Sequence, residues 1–193
     1  MNTTHYDLVK FEKKLKKYID KNRLIHTRGV MYTAACMAMS FGYNPEKAQV
    51  AGLLHDCAKC IDDEKKIKLC KKNGIDLSDY EIENPFIIHA KLGAWIAKEK
   101  YKIDDEDILN AITYHTTGRP EMSDLEKIVF IADYIEPGRH KAMRLDTIRK
   151  EAFRDLDHTM EMILSDTLAY LREADREIDP MTEKAYAYYG KKE

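Results

Sequence analysis

Apolar residues recur at helical spacing along almost the whole chain, and no stretch shows several strands of clean period-two alternation. That property confines the fold to packed helices, an all-α architecture. Residues 7–20 place Leu8, Phe11, Leu15, Tyr18 and Ile19 near one face, and Asn22 and Arg23 break the run. "HTRGVMYTAACMAMSF", opened by His26 and rich in alanine and methionine, reads as a second, buried helix that "GYNP" ends. Pro45 suits the first turn of a third helix, to about residue 59, which runs through Leu53 and Leu54 into His55-Asp56. Asp62 is placed to cap a helix over 63–72, stopped at Asn73-Gly74. "IDLSDYEIEN" reads as a polar connection. Helices are then expected over about 85–97, 104–115, 122–135, 146–157, 159–174 and 180–188.

The chain has 193 residues, 44% of them apolar, enough for one sizeable core. No Pro-rich or Gly/Ser-rich linker divides it. Residues 1–193 are therefore expected to form one domain, with a core over about 20–140 and helices 146–190 packed on it. The net charge is -2, with acids and bases mixed throughout. Such a balance argues against a nucleic-acid partner. The lysines of "KFEKKLKKYIDKNR" read as a solvated helix face. No apolar run approaches the roughly 18 residues of a membrane span, and the N-terminus lacks a secretory pattern. A cytoplasmic protein with no membrane partner is expected, its four cysteines free thiols. Cys57-x-x-Cys60 lacks both the strand-helix context of a redox pair and a second ligand pair for structural zinc. It reads as ordinary core and surface cysteine.

Four histidines and two aspartates need a joint explanation. His26 begins the second helix, His55 and Asp56 end the third, His89 sits one turn inside a helix, and His115 ends another. Asp133 lies in the apolar stripe of Leu125, Ile128, Val129, Ile131 and Ala132, where a lone carboxylate is costly unless paired or metal-bound. A helical bundle can gather such positions in its interior, and imidazole with carboxylate suits divalent transition metals. Each histidine alone is more readily a hydrogen-bonded structural residue than a ligand; the joint pattern is what points to a metal. Lys59 follows His55 by four residues on the same helical face, placed to meet a phosphate unless it is simply solvated. Thr116, Thr117, Gly118 and Arg119 form a loop after His115, and Arg139 follows Pro137-Gly138. Both guanidiniums could fork onto phosphate oxygens. Tyr170, Tyr186, Tyr188 and Tyr189 could stack on a base, although aromatics at helical spacing are more often core.

The order His26, His55-Asp56, Asp133, carried in "AGLLHDCAK" and "IVFIADYIEPGR", resembles the HD-domain metal-dependent phosphohydrolase superfamily. His89 in "NPFIIHAKLGA" and His115 in "ITYHTTGRP" resemble the extra ligands of its dinuclear branch. Over about residues 8–190 the chain is most similar to the bacterial symmetrical dinucleoside-tetraphosphate hydrolases. The resemblance implies an HD-domain helical bundle and two divalent metal ions, iron above all, with manganese or cobalt as substitutes. One ion would take His26, His55, Asp56 and Asp133, and the other Asp56, His89 and His115. It implies that diadenosine tetraphosphate is cut centrally to two ADP. Asp56, and Lys59 and Arg139 from their positions beside the ligands, are the expected catalytic groups. Substrate or ADP product would meet His89, His115, Thr116, Thr117, Gly118, Arg119, Asp133, Arg139 and Tyr170. No general acid is assigned, and a homodimer is left open. The rival readings are an HD phosphohydrolase acting on another nucleotide, and a metal-containing nucleotide sensor without turnover.

Overall fold

The structure, a computed structural model, describes residues 5–190, and among them there is no strand. Eleven α-helices make up the described chain: α1 (Leu8–Leu15), α2 (Lys21–Ser40), α3 (Pro45–Leu54), α4 (Asp63–Lys72), α5 (Asp79–Glu83), α6 (His89–Tyr101), α7 (Glu106–Tyr114), α8 (Asp124–Ile135), α9 (Leu145–Glu151), α10 (Leu156–Glu173) and α11 (Pro180–Tyr189). A single 3₁₀ turn, Pro85–Ile87, precedes α6. Most helix starts are chemically marked. Asp7, Asp20, Asn44, Asp105, Asp155 and Asp179 each accept a first-turn backbone N–H, and Ser78 and Ser123 form full capping boxes with Glu81 and Glu126.

Several boundaries differ from the sequence expectation. The first helix stops at Leu15, and residues 16–19 form a turn. Asn22 and Arg23 do not break a run. They lie in the first turn of α2, because the Asp20 carboxylate accepts the Arg23 N–H and starts the helix there. His26 consequently sits in the second turn rather than at the opening. α3 ends at Leu54, with His55 as its cap and residues 55–60 in turns. Asp62 occupies the cap position of α4 without a side-chain bond. The polar connection before Pro85 conceals α5, which the Ser78–Glu81 capping box nucleates. The helix expected from Pro85 begins only at His89, after the 3₁₀ turn.

α8 is the central element. Leu125, Ile128, Val129, Ile131 and Ala132 are fully buried, and the helix packs against α2, α3, α7 and α10. α2 and α3 cross closely because Gly52 has no side chain: a Cβ there would lie 2.9 Å from Met31 Cα. α10 packs on α8, and α11 packs on α10. The C-terminal segment is pinned back through Tyr189 and Glu177. The Met122 N–H donates to the Tyr189 hydroxyl at 3.0 Å, and the Tyr80 hydroxyl donates to the Glu177 carbonyl at 3.1 Å.

Candidate metal centre

His55 caps the C-terminus of α3, His115 caps α7, His89 opens α6, His26 lies in α2, and Asp133 lies in the last turn of α8. These elements bring the six side chains together around Asp56. Its Oδ2 lies 3.4 Å from His55 Nε2 and 3.8 Å from His26 Nε2. Its Oδ1 lies 3.2 Å from His89 Nε2 and 3.6 Å from His115 Nε2. Asp133 Oδ1 is 3.0 Å from His26 Nε2 and 4.0 Å from His55 Nε2. His26, His55 and Asp56 form one group able to hold an ion, and Asp56, His89 and His115 another, with ligand atoms within 4.8 Å of one another in each. Asp56 belongs to both and turns one oxygen toward each.

All four imidazoles are oriented by the same device. The Nδ1 atoms of His55, His89 and His115 lie 2.7 Å from the carbonyls of Gly52, Phe86 and Ile112, each three residues earlier. His26 Nδ1 lies 3.0 Å from Glu136 Oε1. A carbonyl or carboxylate only accepts, so these bonds hold the proton on Nδ1 and turn the Nε2 lone pair inward. The Nε2 atoms of His89 and His115 then face each other at 3.2 Å. Those of His26 and His55 are buried without a hydrogen-bond partner. Inward lone pairs opposite carboxylate oxygens call for a cation, so the donor set fits divalent metal.

The carboxylates draw positive charge onto the His55 ring: burial opposes it, but Asp56 and Asp133 raise that imidazole, a proton standing where a cation would. Burial works to raise the Asp56 carboxyl, but charge and hydrogen bonds from His55, His115 and His89 outweigh it and hold it well below the usual carboxylate range. Asp133 is likewise pulled down: burial opposes this, and His26, His55 and Arg139 overcome it. Burial drives the His89 imidazole down to about 4, favouring the neutral ring. Burial also lowers Lys59.

The other sequence candidates divide. Lys59 Nζ stands 3.3 Å from His89 Nε2, and Thr116 Oγ1 lies 3.2 and 3.4 Å from His115 and His89 Nε2, so both border the cluster. Arg139 Nη2 pairs with Asp133 Oδ1 at 2.6 Å, and its Nε donates to the Asp133 carbonyl. Thr117 donates to the Gly118 carbonyl, and Gly118 adopts a left-handed φ of 66° that turns the loop. Arg119 forks onto the fully buried Glu126 at 2.8 and 2.7 Å, with its third nitrogen on the Pro120 carbonyl. Its guanidinium is thus committed within the loop. Tyr170 is 54% exposed on α10, while Tyr186 and Tyr188 pack against the core and Tyr189 lies within it. Cys57 is buried with its thiol on the Gly93 carbonyl, and burial pushes that thiol up, as for an inert core cysteine.

Two residues escape the sequence reading. Arg23 Nη1 pairs with Asp56 Oδ2 at 2.6 Å, and buried Glu136 orients His26. Glu136 also accepts the Gly138 N–H at 2.5 Å. Gly29 and Gly138 crowd it so closely that an added Cβ would come within 2.5 and 2.9 Å of its carboxylate oxygens. The signal for Glu136 was the "EPG" that follows the Asp133 helix. For Arg23 the sequence carries none.

Comparison with known proteins places this geometry. The HD domain family model matches residues 23–138. A symmetrical bis(5'-nucleosyl)-tetraphosphatase of Bacillus subtilis is 38% identical over 174 residues, 89% of this chain and 91% of that protein. The one of Staphylococcus aureus is 35% identical over 188 residues, 95% of each chain. A crystal structure from Clostridium acetobutylicum, described as a predicted HD superfamily hydrolase involved in NAD metabolism, superposes with a TM-score of 0.93. It shares 40% identity and covers 97% of this chain and 99% of its own. With its cluster of His and Asp between helices and full-length likeness to these relatives, the chain belongs to the HD-domain family, in the group of the symmetrical bis(5'-nucleosyl)-tetraphosphatases.

Proposed function

We propose that this chain hydrolyses diadenosine tetraphosphate by a central cut, giving two ADP. The observation that carries the reading is the convergence of four inward Nε2 atoms on Asp56 and Asp133, in a chain that aligns nearly end to end with symmetrical tetraphosphatases. In this reading His26, His55, Asp56 and Asp133 would hold one divalent ion, and Asp56, His89 and His115 would hold a second. Iron(II) is the proposed resident, with manganese or cobalt able to replace it, since mixed nitrogen and oxygen donors suit all three. Two ions held there would activate a water and screen the phosphate oxygens it attacks.

The surrounding side chains have separable tasks. Asp56 and Asp133 are paired with Arg23 and Arg139, and Arg139 helps to keep the Asp133 carboxylate ionised. Arg139, half exposed, is placed to exchange part of that pairing for a phosphate oxygen. Lys59 and Thr116 border the second group of ligands and can donate to the leaving ADP phosphate. Gly118 and Arg119 shape the loop that carries Thr116. The reading also takes residues 1–193 as one HD domain, supported by the packing of α10 on α8 and of α11 on α10.

The test is an anaerobic assay with iron(II), manganese or cobalt and separation of the products. ADP alone is the expected result. ATP plus AMP would overturn the central cut. No product with any metal would overturn catalysis and leave the nucleotide-sensing alternative.

A further inference from the structure

A groove of about 420 Å³ opens beside the histidine cluster, between α5, the start of α6, the end of α7 and the N-terminus of α11. It adjoins the cluster through one residue. Thr116 lines the groove and also lies within 3.4 Å of His89 and His115 Nε2. Ile87 and Ala90, on either side of His89, form part of the wall, as does Tyr114, immediately before His115.

The groove has the shape and chemistry for a flat, neutral ligand. Tyr80 and Tyr114 supply aromatic surface, and Met181 of α11 adds apolar surface. Both rings are held. The Tyr80 hydroxyl is tied to the Glu177 carbonyl, and the Arg119 guanidinium sits 5.0 Å over the Tyr114 ring. Rigid aromatic walls cost little ordering on binding. The charge of the lining is acidic on balance. Asp79, Glu81 and Asp179 stand against Lys91 and Lys184, and Lys91 is already paired with Glu81 at 2.7 Å. These acids repel a phosphate but can accept hydrogen bonds from sugar hydroxyls. A ligand that spans groove and cluster therefore places its nucleoside in the groove and its phosphates past Thr116.

We infer that the groove between α5 and α11 is the nucleoside subsite for one half of the substrate, with the base against Tyr80 and Met181. This rests on the reading of the cluster as a nucleotide-hydrolysing centre. It gives the C-terminal helix a part in substrate recognition, although the matched HD domain ends at residue 138.

The experiment compares the manganese-loaded full chain with Tyr80→Ala and with Met181→Trp, one removing a wall and the other filling the space. Calorimetry measures ADP and inorganic pyrophosphate binding, and metal content is measured in each protein. Both variants are expected to weaken ADP by at least about fivefold, the usual range for a lost base stack. Pyrophosphate affinity should stay within twofold and metal content should not change. In turnover the loss should fall on KM rather than kcat. Equal weakening of ADP and pyrophosphate would overturn the subsite, as would unchanged ADP affinity in both variants. Selective loss of ADP affinity in a protein that shows no turnover would sustain the subsite and overturn the hydrolase reading alone.

Discussion

Glu136→Gln tests the orientation of His26 directly. The glutamate is 4% exposed, and its carboxylate accepts from His26 Nδ1 and from the Gly138 N–H. Glutamine keeps one carbonyl oxygen, so one of the two bonds must be lost along with the charge. The crowding by Gly29 and Gly138 leaves no room for the amide to swing to a better position. Loss of such an outer partner of a metal-binding histidine lowers affinity by about 10–100-fold, or roughly 1.4–2.7 kcal/mol. The loss should be confined to one ion, because His89 and His115 are oriented by the carbonyls of Phe86 and Ile112 and do not depend on Glu136. Manganese titration of the stripped protein against a competing chelator should therefore change from two comparable sites to one unchanged and one weakened site. Thermal unfolding in EDTA separates this from general destabilisation. A variant whose two-site curve superimposes on the wild type within twofold would refute the orientation argument, and an equal loss at both sites would refute the division of ligands.

Arg139→Ala should raise KM or lower kcat for diadenosine tetraphosphate by about tenfold or more while both ions remain bound; a fall in metal content would make Arg139 structural through Asp133. Ile128→Ala, at a fully buried position on α8, should cost about 2–5 kcal/mol in urea unfolding, and a loss below about 1 kcal/mol would mean that α8 is not central to the core. Glu12 is held down at about 2, first by its hydrogen bonds from Arg28 and then by Lys16. A depressed carboxyl stabilises the fold above its ordinary value near 4.5, and that contribution fades as the pH falls toward 2. The melting-temperature gap between wild type and Glu12→Gln should therefore shrink between pH 6 and pH 3, and should be small at high salt because Arg28 is partly exposed. A gap that is constant with pH would dismiss the ion pair.

The helical architecture was legible because apolar spacing and capping residues are local properties. The boundaries that went astray did so where a cap competed with periodicity. Asp20 starts α2 just where the sequence pattern ends one helix and Asn22-Arg23 break the run, and Ser78 with Glu81 makes a helix out of an apparent connection. The six candidate ligands were legible for another reason: histidine and aspartate at the ends of apolar helices are conspicuous against their surroundings. Arg23 and Glu136 were not. Each is an ordinary charged residue in its own neighbourhood, and each acquires its role only from a partner 33 or 110 residues away. Arg119 shows the converse. Its loop position beside His115 suits a phosphate contact, but seven residues on, Glu126 is fully buried and takes both of its prongs.

The bonds from His55 and His115 to Gly52 and Ile112 have a consequence for how such a site can change. Those carbonyls are among the last of α3 and α7, the groups that helix termination leaves without an intrahelical partner. Each ring thus satisfies its own helix end in the same contact that aims it. Its bearing is written into the final turn that carries it, and the connecting segment downstream has no say in it. Insertions or deletions in those connections can lengthen, shorten or reshape the approach to the cluster while the aim of these imidazoles is kept, so the surroundings can diversify around a fixed centre.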